Sequence, residues 1–152
     1  MICERSSSSW SALVASYWKL IVFDWDGTLM DSTGAIVRAA ERAIRDVGLP
    51  MPPSRRIREI IGLGLQESWE CLFPGRGLEG YGDFVERYRE HFLETERHTI
   101  RPYPGVDILV ENLLRRGAHL AVATGKSRRG LDRDLEETGL GRFIEHSVTS
   151  DE

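Results

Sequence analysis

Residues 20–23, Leu-Ile-Val-Phe, form a short unbroken apolar run that stops at Asp24-Trp25-Asp26-Gly27-Thr28. A run of this length bounded by loop residues predicts a strand buried on both faces of a parallel sheet. The period then changes. Ile36, Val37, Ala40, Ile44 and Val47 recur at helical spacing between a candidate cap at Ser32 or Thr33 and a stop at Gly48, predicting a helix over residues 32–48. After the break Leu49-Pro50-Met51-Pro52-Pro53, shorter helices are predicted over 54–61 and 65–73, interrupted by Gly62-Leu63-Gly64. A fourth and longest is predicted over 81–97, with Phe84, Val85, Tyr88, Phe92 and Leu93 on one face and charged residues opposite. Beyond the linker Arg101-Pro102-Tyr103-Pro104-Gly105, residues 106–116 read as a helix and 118–123 as a second strand. Residues 127–138 read as another helix, and 143–149 lead into a third strand. Strands alternating with helices indicate an α/β fold around a parallel sheet.

Composition narrows the function classes. The 152 residues suffice for one ordinary core. A net charge of −4 gives no bulk attraction to nucleic acid, and no stretch is long and apolar enough to span a bilayer, so neither nucleic acid nor a membrane is expected as a partner. Cys3 and Cys71 lack metal-type spacing, and without an expected disulfide they fit a reducing cytoplasm. Residues 1–18, with a serine run at 6–9 and scattered Trp10, Tyr17 and Trp18, read as a flexible tail, with docking as the other reading. Basic charge is almost wholly arginine, for Lys19 and Lys126 are the only lysines.

Two short segments carry the candidate chemistry. Asp24 and Asp26 flank Trp25 at the carboxyl end of the first strand, the edge at which open α/β sheets bind ligands. One carboxylate can attack phosphorus while the second handles the leaving-group proton, with a divalent metal offsetting their repulsion. Gly27 permits a tight turn, and Thr28 offers a hydroxyl or a backbone N–H. The alternative is an Asp-Gly turn whose aspartates only cap the loop. Thr124-Gly125-Lys126-Ser127 stands at the end of the second strand and the start of a helix. A hydroxyl and backbone N–H groups at such a junction form a phosphate cradle; taken singly, Thr-Gly is also an ordinary helix cap.

Asp24-Trp25-Asp26-Gly27-Thr28-Leu29-Met30-Asp31-Ser32 resembles the first motif of the haloacid dehalogenase superfamily of phosphohydrolases, close to the branch containing phosphoglycolate phosphatases. The likeness runs from Lys19 to the last residue. It implies a doubly wound, Rossmann-like parallel-sheet core formed by residues 19–32 and 101–152, incomplete at its carboxyl end. Residues 33–100 would then be a helical cap that closes over the site and selects the substrate, a small phosphorylated metabolite. Asp24 would form an aspartyl-phosphate, and Asp26 would protonate the leaving alcohol and later activate water. Mg2+ would be held by the Asp24 carboxylate and the Asp26 backbone carbonyl. Thr124, with Gly125 and Lys126, would match the second, phosphate-binding motif. Gly62-Leu63-Gly64 would be the specificity loop dipping toward the site, or else a plain turn. The cap has no lysine, which counts against a phosphonatase-type Schiff base. The presence of Asp26 favours phosphate chemistry over carbon–halogen hydrolysis.

The chain departs from the pattern after residue 150. The family's third motif carries a lysine and its fourth one or two acidic residues, and neither is found. Lys126 lies in the second motif, and Asp151 and Glu152 come too early. The expectation is therefore that the two aspartates lack a cationic partner, that one edge of the first strand is open, and that turnover is impaired. An incomplete reading of a longer gene is the favoured explanation. The alternatives are an inactive fragment acting only as a binding partner, or a sugar-phosphate phosphomutase or phosphatase of the same superfamily.

Overall fold

The computed structural model describes residues 19–152, so both readings of the tail at 1–18 lie outside the described residues. Three strands, β1 (Leu20–Phe23), β2 (His119–Ala123) and β3 (His146–Val148), form one parallel sheet in the order β1-β2-β3. Leu20 pairs with His119 and Phe23 with Val122, while Ala121 pairs with His146. After β1 the chain forms a helical insert of α1 (Thr33–Asp46), α2 (Ser54–Glu59), α3 (Leu65–Leu72) and α4 (Tyr81–His91). The chain returns through α5 (Val106–Arg115), and α6 (Arg128–Thr138) joins β2 to β3. Apart from the end of the fourth helix, each helix start and stop falls within a few residues of the periodicity that predicts it.

Two separate hydrophobic clusters result. Under the sheet, Ile21, Phe23, Leu120 and Val122 pack with Val106, Val110 and Leu113 of α5, Leu131 of α6, and Trp25, Leu29 and Met30 of the loop after β1. The helical insert encloses its own cluster around Trp69, with Val37, Ala40 and Ile44 of α1, Ile57 of α2 and Phe84 of α4. The two chain passes between them are zipped together: Asp31 N–H donates to Arg101 O (2.9 Å) and Tyr103 N–H to Leu29 O (3.0 Å).

Successive right-handed crossovers running in one direction place α5 and α6 on the same face of the sheet. That corrects the expectation of two-sided burial for β1. Ile21 and Phe23 are half-buried under the helices, but Leu20 and Val22 on the other face are 53% and 54% exposed. β1 is also an edge strand of this sheet, as expected.

The long fourth helix departs from its predicted form. α-Helical geometry ends at His91, continues as a π-helical turn (Phe92–Glu96), and closes in a 3-10 turn (Arg97–Thr99). A π-turn inserts a residue and rotates the helix beyond it. Phe92 stays buried, whereas Leu93, expected on the same face, is exposed. The rotation brings Glu96 inside, where its carboxylate meets Arg38 (2.7 Å) and Arg42 (2.9 Å) of α1. Ser32, expected as a helix cap, makes no side-chain cap bond; its buried hydroxyl donates back to Met30 O (3.4 Å). Two histidines have carboxylate partners: His91 with Asp46 (2.6 Å) and His119 with Glu145 (2.8 Å). Cys71 is free and exposed. No helix among the described residues is long and apolar enough to cross a membrane.

Candidate active site

β1 and β2 lie side by side and parallel, so the segments after them leave the sheet at the same edge. After β1, residues 24–30 fold into a tight loop around one carbonyl: the N–H groups of Leu29 and Met30 both donate to Trp25 O (3.1 Å each). Gly27 turns this loop with φ +81°, and a Cβ there would stand 3.0 Å from Thr33 Oγ1. Alternation persists past the strand end. Trp25 turns fully into the core while Asp24 and Asp26 both line a cavity of about 1190 Å³. The Thr28 hydroxyl donates to Asp24 Oδ2 (3.1 Å), but Thr28 itself is exposed.

After β2, Thr124, Gly125, Lys126 and Ser127 line the same cavity. Thr124 N–H donates to Val148 O of β3 (3.1 Å), and its Oγ1 accepts from Lys126 N–H (3.2 Å). Ser127 caps α6 by accepting from Gly130 N–H (3.3 Å). The loop 62–64 of the insert also reaches the cavity. Gly62 and Leu63 present their carbonyl oxygens directly onto Gly125, and a Cβ at 125 would lie 2.7 Å from Leu63 O. All but two of the sequence-predicted site residues are thus brought together around one opening; Gly27 and Thr28 support its rim.

Lys126 is placed differently from a simple phosphate ligand. Its ammonium is 3.2 Å from Asp26 Oδ2 and 3.2 Å from Asp134 Oδ2, with all three side chains nearly buried. The Phe92 ring of the insert covers it at 5.2 Å, a cation–π contact. The expectation that the aspartates lack a cationic partner is therefore overturned for Asp26. A lysine two residues after the second-motif threonine folds back over the turn to reach it.

Several lining residues carry no sequence motif. Tyr88 sits in an aromatic stack between Phe84 and Phe92. Burial there, and secondarily the Asp26 charge, push its phenol well above the usual range, so it stays protonated. Arg89 of α4 and Arg129 and Arg133 of α6 also line the cavity. Arg128, by contrast, turns to Ser147 and Glu152. Asp134 had one legible signal: it falls three residues after Leu131 on the buried side of α6, where the period calls for an apolar side chain.

The donor set bears on a metal. Mg2+ takes hard oxygen ligands, commonly one or two carboxylates completed by water and substrate phosphate. Asp24 and Asp26 are donors of that kind, although no cluster of three His, Cys, Asp or Glu side chains exists among the described residues.

Comparison with known proteins matches this geometry. A family profile described as haloacid dehalogenase-like hydrolase covers residues 21–152. The chain is 30% identical over 133 residues to a phosphoglycolate phosphatase of Aquifex aeolicus, covering 88% of this chain and 61% of that protein. It is 31% identical over 134 residues to a plasmid-borne phosphoglycolate phosphatase of Cupriavidus necator, covering 86% and 58%. The crystal structure of a predicted phosphoglycolate phosphatase from Haemophilus somnus superposes with a TM-score of 0.71 at 27% identity, covering 88% and 63%. The chain spans about three fifths of the length of these relatives. With the strand-end aspartates, the threonine turn and the intervening helical insert all in place, this chain belongs to the haloacid dehalogenase-like hydrolases.

Proposed function

We propose that the site is that of a phosphoric monoester hydrolase acting on a small phosphorylated metabolite of the phosphoglycolate kind, with residues 33–100 serving as its cap. The observation that carries the reading is the convergence of Asp24 and Asp26 from β1 with Thr124, Gly125 and Lys126 from β2 on one cavity, roofed by the 62–64 loop. The names of the relatives supply the substrate class.

In this reading the Thr124 hydroxyl and the neighbouring backbone N–H groups orient the phosphoryl oxygens. An Asp24 oxygen attacks phosphorus, the ester P–O bond breaks, and its electron pair leaves on the alcohol oxygen, which takes a proton from Asp26. Asp26 then removes a proton from water, the resulting hydroxide attacks phosphorus, and the bond to Asp24 breaks to release phosphate. Lys126 stabilises the Asp26 carboxylate once its proton has passed to the alcohol. The Asp24 carboxylate and the Asp26 carbonyl would hold Mg2+, which when bound supplies positive charge against the phosphoryl oxygens. Tyr88, protonated, and Arg89, Arg129 and Arg133 line the space beyond, suited to an anionic substrate.

Phosphate release from phosphoglycolate and p-nitrophenyl phosphate, with and without Mg2+, tests the proposal. Magnesium-dependent turnover that falls more than about a hundredfold in Asp24→Asn is expected. Turnover unaffected by that substitution sinks the assignment.

A further inference from the structure

Asp134 is a carboxylate on the buried face of a helix whose neighbouring inward residue is Leu131. A buried charge in that position is destabilising unless it is paired and hydrogen-bonded. Both conditions are met at one atom: Asp134 Oδ2 accepts the Trp25 indole N–H at 3.3 Å and faces the Lys126 ammonium at 3.2 Å. The other side of that ammonium meets both oxygens of Asp26, at 3.2 and 3.3 Å.

We infer that Asp134 is a positioning residue, which holds the Lys126 ammonium on Asp26 and locks the catalytic loop through Trp25. A free lysine side chain samples many rotamers, and fixing it on one carboxylate is entropically costly. Two carboxylates from different elements, with the Phe92 ring as a lid, confine it before any substrate arrives. Trp25 lies between the two aspartates in sequence, so its indole bond ties the same anchor to the loop that carries them. The consequence for turnover rests on the phosphatase reading; the placement of Lys126 does not.

The presence of only two lysines makes the placement directly measurable. Reductive methylation of the full chain, with peptide mass spectrometry as the readout, compares Lys126 with the exposed Lys19. In the native chain Lys126 reacts about tenfold more slowly than Lys19, as a doubly paired ammonium should. Asp134→Asn keeps an acceptor for the indole but removes the charge, and it speeds Lys126 modification about tenfold, while Asp134→Glu restores slow reaction. An Asn variant indistinguishable from the native chain shows that Asp134 serves only the indole and overturns the inference. Equal reactivity of the two lysines in the native chain overturns it without any variant. Where turnover is present, Asp134→Asn lowers kcat about tenfold, with a smaller change in KM, since the carboxylate that Lys126 meets in the site is Asp26. A freed Lys126 with unaltered kcat overturns the catalytic role. Absent turnover in the native chain counts against the phosphatase reading, and lysine reactivity still decides the placement.

Discussion

Each of the two cores of this protein is built around one fully buried tryptophan, and the two are used differently. Trp69 in the insert is surrounded by rings, with Phe73 at 4.8 Å, Phe84 at 5.6 Å and Tyr81 at 5.9 Å, and its indole donates to the Gly77 carbonyl at 2.6 Å. Its partners are neutral and belong to the insert. Trp25 under the sheet belongs to a cluster whose other buried members are non-aromatic, and its indole donates to a carboxylate that also holds a lysine of the site. One tryptophan packs a unit; the other couples packing to charge. Substitution at the first therefore tests stability, and changes around the second test chemistry.

The largest effect is expected at Trp69. Truncation to Ala removes the aromatic centre and leaves the Gly77 carbonyl without its donor, destabilising the insert by about 3–5 kcal/mol. If the two cores are separable, amide hydrogen exchange shows α1, α3 and α4 losing protection while β2 retains it. Simultaneous loss of protection in β2 breaks the comparison and makes the two clusters one cooperative unit.

One contact between the two units is backbone against backbone. Gly125 meets the backbone carbonyls of Gly62 and Leu63, with no room for a side chain. Gly125→Ala is expected to lift the 62–64 loop, because backbone on both sides cannot yield as a side-chain tip would. The cost is about 1–3 kcal/mol. Limited proteolysis should show faster cleavage near Gly62 with thermal unfolding only modestly lowered; an unchanged cleavage rate contradicts the proximity.

These details separate what a sequence displays from what it hides. The first strand, its aspartate pair and the threonine turn are local patterns, and period and turn chemistry make them readable. The open face of β1 is not local: Leu20 and Val22 are as apolar as Ile21 and Phe23, and only the shared side of α5 and α6 decides which pair is covered. Lys126 and Asp26 are 100 residues apart, and nothing near either one announces the other. The π-turn at Phe92–Glu96 is likewise set by tertiary demand, since it buries Glu96 against two arginines of α1. Local propensity alone would continue the α-helix.

The smallest expected effect lies where the last described residues dock on α6. Asp151 Oδ1 accepts the Thr149 hydroxyl at 2.7 Å and the Arg128 backbone N–H at 2.8 Å, and Glu152 Oε2 meets the Arg128 guanidinium at 2.7 Å. The Thr149 hydroxyl foremost, then the Arg128 N–H, hold the Asp151 carboxyl below its usual range. The Arg128 side chain foremost does the same for Glu152. Because both are lowered in the folded chain, their contribution is present above the ordinary carboxylate range near pH 4 and is lost as pH falls through the depressed values. Both groups are solvent-exposed, so salt screens the effect and global stability changes little. Carboxyl-carbon NMR titration is the sensitive readout: Glu152 should titrate below an ordinary glutamate and return toward it in Arg128→Ala. An ordinary midpoint for Glu152 in the native chain would show that the 149–152 segment does not hold this contact in solution. Unlike the lysine at Asp26, its charge pairs would then carry no positional information.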